Sequence, residues 1–267
     1  MTSTLPAPQD HFIHDSRGHR LFARVWSPLL PRSTVPVVLL HESLGSVAQW
    51  HTFPAALCQA LAQPVIAYDR LGFGQSDAFP GVLSADFVEQ EAHGGFAVVR
   101  RHFGFNDFML FGHSVGGGMA VHCAAAYPQA CRAIVTEAAQ AFIEPHTLAG
   151  IRAADRFFQE PAAFARLARY HGDKTRWVLN AWIHTWLSPE FSNWSLDAVL
   201  PGVRCPVLAI HGELDDYGSV EHARRICAAS SGPAHSEILP AIRHVPHKEC
   251  QDKVIALVAR RLAALTV

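Results

Sequence analysis

The chain has 267 residues, with 22 Lys and Arg against 23 Asp and Glu, for a formal charge of −1. That balance argues against a sequence-independent nucleic-acid binder, which needs a basic surplus to displace phosphate counterions. With 49% apolar and 17% charged residues, the chain is too apolar to stay disordered and can bury a sizeable core.

The first twenty residues lack the basic start and apolar stretch of a secretory signal. No apolar run approaches the roughly 18–20 residues of a membrane span, so a cytoplasmic address and no membrane partner are expected. Short apolar runs then alternate with longer amphipathic ones, the pattern of an α/β protein with a mostly parallel sheet. Strands are expected at 21–26, 35–40, 65–68, 108–111, 133–136, 206–210 and 236–239, and helices at 54–62, 86–103, 117–126, 220–229 and 247–264. Residues 141–203 break this rhythm, with helix-like pieces and no convincing strand. They hold 10 of the 26 aromatic residues and 4 of the 6 tryptophans, which reads as a helical lid inserted into a core of residues 1–140 and 204–267.

Cysteine and histidine usage narrows the chemistry. Cys58, Cys123, Cys131, Cys205, Cys227 and Cys250 are scattered with no C-x-x-C pair, so they read mainly as small core residues and not as a disulfide framework. Seventeen histidines invite a metal site, yet neither H-E-x-x-H nor finger spacing occurs. His11/His14 and His244/His247 have spacings that place two imidazoles on one helical face, but no carboxylate or cysteine completes either set. No metal and no cofactor are expected.

The strongest motif is G-x-S-x-G at Gly112, Ser114 and Gly116, with an apolar strand directly before it and a helix-like run directly after. A sharp strand-to-helix turn of this kind projects its serine outward, and the following helix aims its N-terminal amides at developing negative charge. The alternative is a glycine-rich loop near a nucleotide phosphate, and the absence of G-x-G-x-x-G and G-x-x-x-x-G-K-[ST] weighs against it. A serine hydroxyl needs a base, and the base needs an orienting acid. Asp215 and Asp216 follow the strand at 206–210, and His244 and His247 follow the strand at 236–239, giving the chain order Ser, Asp, His.

With these motifs the sequence resembles the α/β-hydrolase superfamily, specifically its capped serine esterase and C–C hydrolase-like members. HESLGSVAQW at residues 41–50 looks like the family's H-G-x loop, and DRLGFGQS at 69–76 looks like its D-x-x-G-x-G-x-S segment. The resemblance implies an α/β-hydrolase fold, Ser114 as nucleophile, Asp215 as acid through the G-x-x-D spacing, and His244 as base through H-x-P. Glu137 is a substitute acid, His247 a substitute base, and Asp216 a turn or surface residue. The oxyanion donors implied are the Ser43 and Val115 amides. Glu42 stands where the family has glycine and is expected to face the pocket. Trp50, His113, Trp182 and Trp186 are expected to line it too, with Trp177 beside them, and His41 is expected to be structural or pocket-lining.

The function expected is hydrolysis of a small-to-medium, partly apolar carboxylic ester through an acyl-enzyme. The alternatives are a C–C bond hydrolase, which would hold a substrate carboxylate with Arg152, Arg156 or Arg176, and a ligand-binding relative without catalysis.

Overall fold

A computed structural model describes residues 5–263. Eight strands form one sheet: β1 (Gln9–His14), β2 (Arg20–Trp26), β3 (Val37–Leu40), β4 (Val65–Tyr68), β5 (Phe108–His113), β6 (Cys131–Glu137), β7 (Val207–Gly212) and β8 (Ala234–Leu239). Their order across the sheet is β1-β2-β4-β3-β5-β6-β7-β8. The β1–β2 and β2–β4 pairs are antiparallel and the other five are parallel.

Every residue of β3, β4, β5 and β7 is buried, as a parallel sheet covered on both faces requires. Alternate side chains feed two cores. Val38, Leu40, Leu110 and Ile134 face one of them, and Val37, Leu39, Phe111 and Val135 face the other. The second core is closed by Phe53 and Leu57 of α1 (Phe53–Leu61) and by Val254 and Val258 near the chain's end.

Between β4 and β5 the single helix expected at 86–103 is two, α2 (Phe87–Gln90) and α3 (Gly95–Phe103). Glu91 accounts for the interruption: it is buried and accepts a 2.5 Å hydrogen bond from the Tyr68 hydroxyl, and a Cβ on Gly95 would stand 2.4 Å from its Oε1. After β5 comes α4 (Val115–Ala126). Between β6 and β7 lie α5 (Pro145–Phe157), α6 (Pro161–His171) and α7 (Thr175–Trp186), and α8 (Glu221–Ala229) joins β7 to β8. The final helix expected at 247–264 is a short α9 (Pro246–Glu249) followed by α10 (Gln251–Ala263); Ala264 lies outside the described residues.

Strand β1 was not expected. It is an edge strand in which only Ile13 is fully buried, so its sequence carries little apolar signal. His11 and His14 sit on this strand and not on a helical face, and His11 packs edge-on against Phe103 at 5.1 Å.

The 69–76 segment is a structural tie. Asp69 Oδ1 accepts the Val47 N–H at 2.6 Å and Oδ2 accepts the Gln75 N–H at 2.7 Å. Ser76 Oγ donates to the Asp69 carbonyl and accepts the Phe22 N–H. These bonds hold the loop after β3 against the loop after β4. All six cysteines are free thiols, and Cys58, Cys123, Cys131 and Cys205 are buried. Among the described residues no helix is long and apolar enough to cross a membrane.

Candidate active site

Parallel strands bring their carboxyl ends to one edge, where loops from different strands meet. Register aligns Leu40 of β3 with Gly112 of β5, and His113 of β5 with Glu137 of β6. Ser114 follows β5 directly with φ 54° and ψ −124°, a left-handed conformation that costs a non-glycine residue about 1–3 kcal/mol. Strand β6 and the first turn of α4 hold it there: its N–H donates to the Glu137 carbonyl and its carbonyl accepts from the Gly117 N–H, both at 2.8 Å. Only glycine fits two residues on, since a Cβ at Gly116 would stand 2.1 Å from the Leu40 carbonyl oxygen. Small neighbours thus let the turn nest against β3 and leave the Ser114 side chain facing a cavity of about 470 Å³.

His244 enters the same cavity from the loop after β8, and the buried Asp215 reaches the His244 ring from the loop after β7. Both Asp215 carboxylate oxygens lie 2.8 Å from His244 Nδ1. Burial by itself pushes the Asp215 carboxyl up, but His244, then His211 and the Tyr217 N–H, bring it below its ordinary value. For His244, burial works against the charged ring, while the Asp215 charge and hydrogen bond, with Glu42 and Glu137 behind them, raise it above the ordinary imidazole value. Such an imidazole is a base that becomes a stabilised imidazolium on taking a proton. The His244 carbonyl accepts from His113 Nε2 at 2.8 Å, and Glu249 accepts the N–H groups of Arg243 and Val245 on either side of it.

No hydrogen bond joins Ser114 to His244 among the described residues. The Ser114 hydroxyl donates instead to Gln140 Oε1 at 3.3 Å, beyond the usual range for an O–H donor. Gln140 escaped the sequence reading. Its only signal was a lone amide in the alanine-rich run EAAQA that follows β6.

The Ser43 and Val115 N–H groups, the two expected oxyanion donors, make no hydrogen bond among the described residues. Val115 opens α4, so its amide is also one that the helix leaves free. Glu42, Ser43, His113, Trp182 and Trp186 line the cavity, joined by Phe157, Phe158 and Tyr217. Tyr217 packs on the His244 ring at 4.7 Å and Trp182 on Tyr217 at 5.8 Å. Asp216 is exposed at the cavity edge and paired with Arg243.

Two expected lining residues lie elsewhere. Trp50 is only 3% exposed and packs behind the site on Phe53, Phe111 and His247, because the 310 turn 47–50 carries it into the second core. Trp177 stacks on Phe79 and donates to the Gly81 carbonyl at 2.6 Å. Arg152, Arg156 and Arg176 are all exposed and absent from the cavity wall.

His247 and Glu137 form a second buried pair, Nδ1 to Oε2 at 2.5 Å. With His113 they bring three potential metal ligands within 4.8 Å of one another. Metal ligands spread wider than a hydrogen bond allows, and the 2.5 Å separation fits a shared proton between acid and imidazole. Burial pushes the Glu137 carboxyl up to about 7 and the His247 ring down to about 3. His247 lies outside the cavity wall, so the pair stands behind His113. His41 is likewise structural, accepting the Arg70 N–H at 3.2 Å.

A sequence profile described as alpha/beta hydrolase fold matches residues 35–199. Serine hydrolase BPHL of Mus musculus is 26% identical over 201 residues, 73% of this chain and 67% of that protein. A Pongo abelii protein named 1-acylglycerol-3-phosphate O-acyltransferase ABHD5 is 31% identical over 116 residues, 43% of this chain; the match spans only 32% of that relative. Among solved structures, a thermophilic esterase from Thermogutta terrifontis superposes with a TM-score of 0.74 at 19% identity, covering 97% of this chain and 100% of that one.

Proposed function

The chain belongs to the α/β-hydrolase fold family, and on that premise we propose that it is a serine hydrolase cleaving small-to-medium carboxylic esters. One observation carries the reading: Ser114, on its strained turn, faces the same cavity as an imidazole gripped by a buried carboxylate. In this mechanism His244 takes the Ser114 proton as the hydroxyl attacks the ester carbonyl. Asp215 holds the tautomer that leaves Nε2 free to accept, and the Ser43 and Val115 amides stabilise the tetrahedral oxyanion. The alcohol leaves with the proton from His244, and water, activated by the same base, releases the acid. Helices α5 and α7 act as the lid, their aromatic residues giving the acyl or alcohol part an apolar enclosure.

The C–C hydrolase alternative is weaker. It calls for a basic side chain to hold a substrate carboxylate, and among the described residues no Lys or Arg lines the cavity.

Turnover of nitrophenyl esters of increasing acyl length, with a ring-cleavage diketone alongside, tests the reading on wild type and Ser114→Ala. Ester turnover that Ser114→Ala abolishes supports it. Turnover of the diketone alone, or ester turnover that survives the substitution, overturns it.

A further inference from the structure

Apart from its histidines, the wall around Ser114 carries carboxylates and, among the described residues, no Lys or Arg. Of its two carboxylates outside the His244–Asp215 pair, Asp216 is neutralised by Arg243 at the surface. Glu42 is different. Its Oε2 accepts the Leu44 N–H at 2.8 Å, while its Oε1 accepts no hydrogen bond among the described residues. Arg70, buried behind the loop, donates to the Glu42 carbonyl at 2.9 Å, and its charge acts on Glu91 first and then on Tyr68, Glu42 and Asp69, so Glu42 has only a share of it.

Glu42 directly precedes Ser43 and lines the same cavity as Ser114 and His244, whose ring its charge raises, so a carboxylate borders the space where an ester would react. For a neutral ester that charge opposes the transition state. A substrate bearing a cation close to its carbonyl reverses the sign of the effect, and Trp182, Trp186 and Tyr217 add aromatic rings to the wall, the side-chain type that attracts ammonium groups. We propose that the site takes esters whose acyl part carries an ammonium group within a few atoms of the scissile carbonyl, with Glu42 as its counter-ion. This substrate class rests on the ester-hydrolase reading. Hydrolysis then yields an amino-bearing carboxylic acid and a free alcohol, water supplying the oxygen of the acid.

Binding separates this proposal from the reaction itself. In Ser114→Ala, calorimetry with benzyl alaninate and benzyl propanoate compares the ammonium with its absence on the same frame, and benzyl hydrogen succinate supplies the opposite charge. Benzyl alaninate is expected to bind about tenfold more tightly than the propanoate, with the succinate weakest. Adding Glu42→Gln is expected to bring the first ratio close to one; glutamine keeps an oxygen for the Leu44 N–H, so the turn is retained. Should that variant not fold, about 0.5 M salt in Ser114→Ala must shrink the ratio severalfold. Equal binding of alaninate and propanoate, or a ratio indifferent to both Glu42→Gln and salt, overturns the proposal. Absence of ester turnover by wild type overturns the ester reading instead, and leaves the binding ratio measurable.

Discussion

Replacing Asp215 with asparagine removes one charge at nearly constant size. Both carboxylate oxygens lie 2.8 Å from His244 Nδ1, and the side chain has no solvent exposure, so no water takes over as acceptor. An asparagine amide can turn its N–H toward Nδ1, which puts the imidazole proton on Nε2 and leaves that atom unable to accept from Ser114. The kcat for a nitrophenyl ester is expected to fall by about 10³ to 10⁴, roughly 4–5.5 kcal/mol of transition-state stabilisation, with KM little changed. Nearby acids are engaged elsewhere: Asp216 with Arg243, and Glu137 with His247. The sign of the pH effect follows from the same contact. Burial depresses the His244 ring, the Asp215 charge lifts it, and the base works when neutral, so residual activity in the variant should rise at lower pH than in wild type. A variant that melts normally yet keeps more than about a tenth of wild-type kcat refutes this role for Asp215. Loss of that size in Glu137→Gln instead would transfer the acid's role to Glu137.

Gly116→Ala forces a Cβ to 2.1 Å from the Leu40 carbonyl oxygen, so β3 and the turn must separate; a loss of about 3 kcal/mol or more is expected by denaturant titration, and a midpoint equal to wild type would show the turn is looser than described. Glu42→Gln removes a carboxylate that supports the protonated His244 ring, so the rising limb of kcat/KM against pH should move to lower pH; a stationary limb would mean that Glu42 does not sense that ring. Glu137→Ala strands the buried His247 ring without its acid, and a loss of about 2–4 kcal/mol is expected in thermal unfolding, against a kcat within about tenfold of wild type. A collapse of kcat with unchanged stability would mean that the pair takes part in the chemistry. Gln140→Ala frees the Ser114 hydroxyl from its resting acceptor and opens the wall, so KM should change more than kcat; a fall in kcat alone would place Gln140 in the transition state.

Sequence patterns carried different parts of this structure unequally. Parallel strands such as β4 were legible because they are buried on both faces and read as unbroken apolar runs. β1 was not, since an edge strand needs only Ile13 inside. The turn at Ser114 was legible because its close approach to β3 demands glycine at position 116. Trp50 and Trp182 look alike in sequence, yet a short turn drives one into the core while α7 sets the other in the wall of the Ser114 cavity, and only packing distinguishes them. Gln140 and Tyr217 reach the site from loops after β6 and β7 with no motif of their own. The Glu137–His247 pair joins residues 110 positions apart, and neither neighbourhood announces the other.

The central claim is that Ser114 is the nucleophile. Intact-mass analysis with peptide mapping after treatment with a fluorophosphonate tests it most directly, because the probe reports attack at phosphorus whatever the natural ester. One adduct on the peptide containing Ser114, absent from Ser114→Ala and slowed in His244→Ala, is the expected result. A native protein that takes no label, or a label that persists in Ser114→Ala, contradicts it.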